Sequence, residues 1–588
     1  MSWLAPLTQT ELWTSADGCS AASIFTTLLM TVVAKGMREA RAKAARTRDI
    51  VSGEFDFVVV GGGSAGCVVA SRLSENPNWR VLLLEAGSEE TELNIVPAFY
   101  NSYLRDPFFD WHYTTQRSGW DSGQFIPRGK GMGGCSAVNA LHFTRGDRYD
   151  FDNWEKLGNK GWGYKDVLPF FKKSENMRDA AIAQDTQYHS TGGPQDTESD
   201  RFSDPNIERY LQAFQELGYT MTKDINGEQH LGLSKPPSSA AGGERRSTNR
   251  AFLPASVRAR KNLVVQTQAF VRRVVVSSGR AVGVEYDGPE GVRTARATKE
   301  VIVSAGSYNS PQCCLCSQAS LFMRSSQQPA DDPRPDIQIA IGATHADSEP
   351  NPKCASDETA GTFFNQMHGI VNNLRPKSRG EIRLDPQNPY GAPLIFHRVF
   401  SIEDDLKPVI EGHQLLVKLD ETSQVFKDNG IKLHVEVPDA CASLTFNSDA
   451  FWRCAFQGLG KSNGHPTSSC SMGPDSDPLA VVNERLQVRG VANLRVVDAS
   501  IMPEATTANT NAAAVMIGEK GAAHIAEDWT KPVDPTAAPT ARPTARPTAR
   551  PTAAPAPGTT SLPSSASTAT AALFPALLWA AVALARNY

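Results

Sequence analysis

Residues 55–66 of the chain read FDFVVVGGGSAG, and residues 79–85 read WRVLLLE. Both stretches contain short apolar runs rich in Val and Leu, which are typical of buried strands in a parallel sheet. Between these runs, Gly61, Gly63 and Gly66 have the spacing GxGxxG, and a helical pattern follows them. The order of strand, glycine-rich turn, helix and second strand predicts a βαβ unit that binds a dinucleotide.

Each residue of this motif has a physical reason to be there. Gly61 allows the tight turn, Gly63 lets the backbone approach a pyrophosphate, and Gly66 lets the helix pack on the strand. The helix start adds N–H groups and a positive dipole end for the phosphates. Glu85 ends the second strand, where a carboxylate can accept hydrogen bonds from both ribose hydroxyls. An ordinary glycine-rich turn, which is the alternative, does not account for Glu85.

A second glycine-rich stretch, RGKGMGGCSAVN at residues 128–139, precedes a predicted helix start. Two such loops predict a large cofactor, with the protein backbone in contact with both its phosphate end and its ring end. A purely structural loop is the alternative.

Composition limits the class of protein. The 588 residues are 40% hydrophobic and 21% charged, which predicts a soluble globular body of two or three domains. The chain has 59 basic and 63 acidic residues, so no nucleic-acid partner is predicted. Cys313, Cys314 and Cys316 crowd together without a second ligand cluster, so no metal site is predicted either.

The two ends differ from the middle. Within residues 1–50, the apolar stretch 21–34 predicts a signal peptide, although the basic residues follow it; a helix packed on the body is the alternative. Residues 531–570 are rich in Pro, Thr and Ala and predict an extended stalk. Residues 571–588 form an apolar tail that predicts a GPI-anchor signal, with a tail anchor as the alternative. Together the ends predict a secreted or extracellular surface protein, with membrane contact only through that anchor.

Several long motifs resemble the glucose–methanol–choline (GMC) family of flavoprotein oxidoreductases, in particular its arthropod glucose-dehydrogenase-like branch. In chain order they are VVVGGGSAGCVVASRLSENPNWRVLLLEAG (58–87), GKGMGGCSAVNALHFTRGD (129–147), VIVSAGSYNSPQ (301–312), LRPKSRGEIRL (374–384) and VVDASIMPEATTANTNAAAVMIGEKGAAHI (496–525).

The resemblance implies a discontinuous two-domain architecture: an α/β Rossmann-like FAD-binding domain plus an α+β substrate domain with an antiparallel sheet. Residues 51–330 and 480–530 would form the FAD-binding domain, with an insertion at about 151–245 that belongs to the substrate domain. Residues 335–479 would form the rest of the substrate domain. Some members attach FAD through a His, but Val138 stands at that position, so non-covalent FAD is expected.

The resemblance also implies a set of cofactor contacts. Those to the adenosine diphosphate are Gly61, Gly63, Ser64, Ala65, Gly66 and Glu85, with Val271 at the adenine. Those to the pyrophosphate and isoalloxazine are Arg128, Gly133, Gly134, Ser136, Asn139 and Leu141. Those over the ribityl chain and ring are Asp498, Ala499 and Asn511.

Oxidation of an alcohol needs a base for the hydroxyl proton while hydride leaves the carbon, and imidazole suits this role near neutral pH. The run GHPTSSCSMGP at 464–474 matches the family's base motif and makes His465 the candidate. Asn509 falls at the partner position, where an amide can stabilise developing alkoxide. An N-cap role before the Ala-rich helix is the alternative for Asn509.

The implied activity is oxidation of the CH–OH group of a small alcohol or sugar, with electrons passed to a quinone-type acceptor. An oxidase that uses O₂, or a catalytically degenerate flavin-binding protein, are the alternatives. The last is kept because the sequence departs from the family after Ser317, where roughly 80 residues are missing. In addition, residues 458–464 are polar where the family has an apolar strand.

Overall fold

The structure is a computed structural model that describes Lys35, Gly36, Arg38 and residues 53–97, 103–104, 106–200, 204–288, 291–308, 317–344, 366–435, 437–457, 462 and 464–530. The stalk, the apolar tail, the three crowded cysteines and most of the predicted signal segment lie outside these residues. Most of the polar stretch 458–464 does as well.

In chain order, the strands of the described residues are β1 (Gly53–Val60), β2 (Val81–Leu84), β3 (Tyr113–Thr114), β4 (Phe125–Ile126), β5 (Glu175–Met177), β6 (Gln195–Thr197), β7 (Gly232–Ser234), β8 (Ala240–Ala241), β9 (Glu244–Arg245), β10 (Leu263–Gln266), β11 (Val271–Ser277), β12 (Arg280–Gly288), β13 (Gly291–Val303), β14 (Ser317–Met323), β15 (Ile337–Thr344), β16 (Gln366–Asn373), β17 (Glu381–Arg383), β18 (Leu394–Phe396) and β19 (Leu494–Val496).

The α-helices of the same residues are α1 (Ser64–Leu73), α2 (Arg148–Lys156), α3 (Tyr164–Ser174), α4 (Ala180–Ala183), α5 (Pro205–Glu216), α6 (Thr248–Phe252), α7 (Ala255–Arg258), α8 (Leu406–Thr422), α9 (Gln424–Asp428), α10 (Asp449–Ala455) and α11 (Asn511–Thr530). Short 3₁₀ turns lie at Glu92–Ile95, Gly134–Ala137, Glu403–Asp405, Asp439–Cys441 and Ala499–Ile501.

The main sheet has the strand order β10-β2-β1-β13-β12-β11, and β19 also pairs with β13. Strand β1 lies between β2 and β13 and is parallel to both. Strand β13 pairs with antiparallel β12 along its first half and with parallel β19 along its second half. A parallel centre flanked by an antiparallel meander is the mixed sheet of a Rossmann-like domain, and this confirms the predicted fold class.

The side chains of β1 alternate between two apolar cores, one on each face of the sheet. Phe57 and Val59 lie in one apolar cluster with helices α1 and α11, whereas Val58 and Val60 lie in another on the opposite face of the sheet. All four side chains are buried. A parallel strand covered on both faces reads as a continuous apolar run, which is why residues 57–60 lack polar positions.

The C-terminal ends of β1, β2, β13 and β19 meet at one edge of the main sheet. In an open α/β sheet, ligands bind outside this edge. The segments that leave these four strands are the GxGxxG loop, Glu85, residues 304–308 and Asp498. The fold therefore gathers residues from both ends of the chain at one place.

A second sheet has the order β16-β15-β14-β7 and is antiparallel throughout. Helices α5 and α8 supply apolar side chains to its core, including Ile207, Phe214 and Leu416. Strand β14 belongs to this sheet, whereas the sequence boundaries placed residues up to 330 in the FAD-binding domain. Strand β14 pairs with β15, and its apolar residues Ala319 and Leu321 are buried in the core of the second sheet. The domain boundaries as drawn from sequence stay predictions.

Two further features concern the periphery. Cys441 and Cys454 form a disulfide, with their Cα atoms 5.9 Å apart, that ties the turn at Asp439–Cys441 to α10. No helix within the described ranges has the length and apolar character needed to cross a membrane.

Candidate active site

The two glycine-rich loops lie directly against each other. The Gly133 N–H donates to the Gly62 carbonyl at 2.8 Å. A Cβ added to Gly134 would lie 2.8 Å from the Cα of Gly63, and Gly134 has a positive φ of 51°. The short Cβ distance and the positive φ both favour glycine at position 134. The structure thus places side by side the two loops from which the sequence predicts one large cofactor.

Within the first loop, each glycine has a different neighbour. A Cβ on Gly66 would stand 1.9 Å from the Gly61 carbonyl oxygen, so this position closes the turn onto the helix. A Cβ on Gly63 would meet nothing within 4 Å. The backbone at Gly63 therefore faces open space at the start of α1, where helix N–H groups point outward. This shape fits the pyrophosphate of a dinucleotide.

Glu85 fixes the loops that surround it. Its two carboxylate oxygens accept the N–H groups of Gly62 at 2.8 Å and Gly87 at 2.7 Å. Burial raises the pKa of Glu85, although these amides oppose the shift. The carboxylate lies at the end of β2 as the sequence predicts, and its contact with a ribose stays a prediction.

The second loop is held by a buried hydrogen-bond network. The Ser136 hydroxyl donates to the Gly133 carbonyl at 2.6 Å and accepts the Thr248 N–H at 3.0 Å. The buried Arg245 donates to the Asn139 side-chain oxygen at 2.8 Å. That same oxygen accepts the N–H of Leu141, which has a φ of 69°. The predicted contacts Ser136, Asn139 and Leu141 are therefore rigidly placed.

Arg128 enters the site from the start of the second loop. It is fully buried, and its guanidinium carbon lies 5.3 Å from the centre of the Tyr308 ring. The Tyr308 hydroxyl is hydrogen-bonded to His397 Nε2, and His397 Nδ1 lies 3.4 Å from the buried Asp121 carboxylate. This Asp–His–Tyr chain joins the residue that follows β18 to the residues that follow β13.

The C-terminal segment closes the same edge. Asp498 accepts the Gly306 N–H at 2.6 Å and the Ser500 N–H at 2.8 Å, and Ala499 follows it in a buried 3₁₀ turn. Asn511, the first residue of α11, accepts the Ser64 hydroxyl at 2.8 Å. The predicted contacts at Ser64 and Asn511 thus touch each other across the two ends of the chain.

Val271 and Ala65 are placed by their secondary structure. Val271 is the first residue of β11 and pairs with Tyr286. The loop before it is fixed to the second strand, because the N–H of Ala269 donates to the Glu85 carbonyl at 2.9 Å. Ala65 is buried in the first turn of α1.

His465 and Asn509 meet although 44 residues separate them. The Asn509 side-chain Nδ2 lies 3.3 Å from His465 Nε2. Burial lowers the pKa of His465 to about 4, and the positive charge of Arg128 and the imidazole of His142 act in the same direction. His465 is therefore neutral at neutral pH, and a neutral imidazole has one nitrogen that accepts a proton.

Sequence reasoning missed several residues that shape this site. Thr144 contacts Asn509, Arg245 holds Asn139, and Tyr308 stacks beside Arg128. Thr144 lies in the motif TRGD, where the motif was a signal but assigned no role to the hydroxyl. No spacing rule links Arg245 or Tyr308 to the loops, because their contacts are made only in the folded chain.

The family model of the GMC oxidoreductases matches residues 55–319 with its N-terminal part and residues 376–518 with its C-terminal part. The chain belongs to the GMC oxidoreductase family. FAD, the predicted cofactor, is confirmed as the cofactor of this family. The paired glycine loops and the open backbone at Gly63 fit its dinucleotide portion.

Relatives with curated names share most of the chain. Glucose dehydrogenase (FAD, quinone) of Drosophila pseudoobscura pseudoobscura is 35% identical over 558 residues, which cover 81% of this chain and 87% of that protein. Mitochondrial choline dehydrogenase of Mus musculus is 31% identical over 541 residues, covering 80% and 89%.

Solved structures share the fold. Pyridoxine 4-oxidase from Mesorbium loti superposes with a TM-score of 0.68 at 25% identity, covering 80% of this chain and 98% of that one. A formate oxidase of Aspergillus oryzae RIB40 superposes with a TM-score of 0.69 at 21% identity, covering 82% and 99%. At this identity the second likeness concerns the fold alone.

Proposed function

We propose that the chain is an FAD-dependent dehydrogenase that oxidises the CH–OH group of a small alcohol or sugar and passes the electrons to a quinone-type acceptor. The observation that carries this proposal is the pair formed by the neutral His465 and the Asn509 amide, 3.3 Å apart. Bound FAD supplies the hydride acceptor at flavin N5.

The residues of the chain have separate tasks in this reaction. His465 Nε2 accepts the hydroxyl proton of the substrate as a general base. The Asn509 Nδ2–H donates to the same substrate oxygen as negative charge grows on it. A substrate oxygen that binds to both groups would replace their mutual hydrogen bond. Arg128, which is itself fully buried, adds a fixed positive charge near this pair.

The non-covalent binding of FAD and the identity of the electron acceptor are supported by different observations. Non-covalent FAD is supported by Val138, which is a buried side chain without a nucleophilic atom in the second loop. A quinone-type acceptor is supported by the 35% identity to glucose dehydrogenase (FAD, quinone). An oxidase that uses O₂ is the second candidate, which the resemblance to pyridoxine 4-oxidase favours.

Anaerobic spectroscopy tests the reaction. Addition of glucose, choline or simple alcohols to the purified full-length protein should bleach its flavin absorbance. His465→Gln should slow this bleaching about a hundredfold or more. His434→Gln, at an exposed histidine outside the site, is the matched control and should bleach like the wild type. A bound flavin that no substrate bleaches would favour the catalytically degenerate alternative.

The acceptor is tested by reoxidation of the bleached protein. A soluble benzoquinone should restore the flavin absorbance much faster than air-saturated buffer does. Equally fast reoxidation in air, with stoichiometric hydrogen peroxide, would favour the oxidase.

We also propose that the protein is secreted or held at the extracellular surface by a GPI anchor. The Cys441–Cys454 disulfide supports this location, because disulfides persist in oxidising compartments. Full-length protein expressed in insect cells should enter the medium or be released from the cell surface by a phosphatidylinositol-specific phospholipase. Retention in the cytosol with both cysteines reduced would contradict the proposal.

A further inference from the structure

The side chain of Thr144 contacts Asn509, the residue that lies beside His465. Thr144 is fully buried, and it precedes α2 in the segment that follows the second glycine loop. Its hydroxyl oxygen accepts the backbone N–H of Asn509 at 3.2 Å. The same hydroxyl lies 3.3 Å from the Asn509 side-chain oxygen Oδ1 and donates to it.

These two contacts fix the orientation of the Asn509 amide. A hydroxyl has a single hydrogen, and the lone pair that faces the Asn509 backbone is already accepting. The atom of the Asn509 side chain that lies within reach of this hydroxyl is Oδ1, at 3.3 Å, and an amide oxygen can only accept, so Thr144 donates its hydrogen there. The oxygen faces Thr144, and the amide nitrogen consequently faces His465.

The orientation of the amide in turn fixes the proton on His465. Asn509 Nδ2 carries only hydrogens, so the His465 Nε2 that lies 3.3 Å away must offer its lone pair. In a neutral imidazole the single proton then resides on Nδ1. The chain from Thr144 through Asn509 thus leaves Nε2 free of a proton, as a base requires.

The loop that carries Asn509 has other attachments that do not involve Thr144. The Thr507 N–H and hydroxyl both donate to the buried Asp150 carboxylate at 2.8 Å. The Thr507 carbonyl lies 3.0 Å from Nε2 of the buried His230. Removal of the Thr144 hydroxyl takes away one backbone contact of Asn509 as well, but the loop keeps its attachments at Thr507, and the side-chain amide of Asn509 is free to rotate.

We propose that Thr144 is a positioning residue that sets the His465 tautomer by orienting the Asn509 amide. Without its hydroxyl, the amide turns over and presents Oδ1 to His465. An oxygen there accepts a proton from Nε2 and stabilises the tautomer that cannot act as a base at that nitrogen. The kinetic consequence rests on the proposed dehydrogenase function, whereas the tautomer itself does not.

Nuclear magnetic resonance of protein labelled with ¹⁵N at histidine tests the tautomer directly. The His465 signals are assigned as those missing from His465→Gln. In the wild type, Nε2 should have the chemical shift of an unprotonated nitrogen. Thr144→Ser, which keeps the hydroxyl, should preserve that shift, and the nearly isosteric Thr144→Val should move it toward the protonated value.

Thr197→Val is the matched control for loss of a buried threonine hydroxyl. Thr197 is fully buried in β6, and its hydroxyl donates a hydrogen bond to the Met177 sulfur at 3.8 Å. This variant should leave the His465 signals unchanged. If Thr144→Val does not fold, Thr144→Ala removes the hydroxyl without overfilling the site. An unprotonated Nε2 in whichever of the two variants folds would overturn the proposal.

Flavin reduction gives the second measurement. Thr144→Val should lower the limiting rate of anaerobic reduction about tenfold to a hundredfold, while the substrate dissociation constant changes little. Thr144→Ser should restore a rate near that of the wild type. If the wild type shows no reduction at all, the proposed function fails and the tautomer measurement still decides the role of Thr144. If the wild type is active and Thr144→Val matches it, the role of Thr144 alone is refuted.

Discussion

Arg72 and Glu519 join the first and last helices of the FAD-binding domain across 447 residues of sequence. Arg72 Nε lies 2.9 Å and 3.0 Å from the two Glu519 oxygens, and Arg72 Nη2 lies 2.7 Å from one of them. Glu519 is fully buried. The helices approach closely nearby, because a Cβ on Gly518 would stand 2.9 Å from the Val68 Cβ. The paired carboxylate therefore anchors the C-terminal segment that carries Asn509 and Asn511.

Arg72→Met should destabilise the protein, because it leaves the buried Glu519 carboxylate with Lys173 as its remaining cationic partner, at 3.0 Å. We expect a loss of about 2–3 kcal/mol in the free energy of unfolding, below the usual cost of an unpaired buried charge. Urea denaturation measures it. The double variant Arg72→Met/Glu519→Leu should be more stable than Arg72→Met, and equal destabilisation of both would argue against the ion pair.

Substitutions at Gly63 and Gly66 should distinguish an effect on FAD binding from an effect on stability. A Cβ on Gly63 meets no protein atom within 4 Å, so Gly63→Ala should leave the unfolding temperature of the apoprotein unchanged. The added methyl group would occupy the space assigned to the pyrophosphate, and FAD retention should fall at least about tenfold. Flavin absorbance per protein measures that retention.

Gly66→Ala is the partner variant for this test. Its Cβ would clash with the Gly61 carbonyl oxygen at 1.9 Å, so the apoprotein itself should unfold at a lower temperature. If Gly63→Ala retained FAD like the wild type, the placement of the pyrophosphate at this backbone would be wrong.

The low pKa of His465 predicts the acid limit of the reaction. Burial first, and then Arg128 and His142, lower this pKa to about 4. A base must be unprotonated, so the rate of flavin reduction should persist from neutral pH down to about 5 and fall as the pH passes through about 4. Stopped-flow reduction after a pH jump measures the profile before the protein unfolds.

Arg128→Gln removes one cause of that shift. The pKa of His465 should rise, so the acid limb should move to higher pH, whereas Arg128→Lys keeps the charge and should move it less. Rates are compared per bound flavin, because Arg128 is itself a predicted cofactor contact. An acid limb that stays in place in Arg128→Gln would show that the charge of Arg128 does not contribute to the low pKa of His465.

The sequence predicts those parts of the site whose residues lie close together along the chain. The GxGxxG loop and Glu85 are separated by a single helix, so one βαβ unit fixes their relation. His465 and Asn509 were found through the resemblance, and the structure brings them together. The sequence gives no role to Thr144, since it lies 365 residues from Asn509 and the two meet only in the folded chain. An apolar run does not reveal which sheet accepts it, so the sequence could not predict that β14 pairs with β15 in the second sheet.

The buried charge network around His189 predicts how stability depends on pH. His189 lies 3.0 Å from Glu175 and 2.7 Å from Asp224, and Arg145 also contacts Glu175 at 2.7 Å. Burial alone would lower the pKa of His189, but hydrogen bonds to the two carboxylates outweigh it and raise the pKa to about 9. The imidazolium is therefore present in the folded protein at neutral pH.

A raised pKa in the folded state stabilises the protein while the proton is bound. This contribution is complete below the ordinary value of 6.5 and is lost as the pH rises through about 9. The unfolding temperature of the wild type should accordingly fall between these pH values. In His189→Gln the protein should be less stable at pH 6, and its unfolding temperature should depend less on pH over that range. An equally steep decline in His189→Gln would mean that another group titrates, because the variant has no proton to lose at this position.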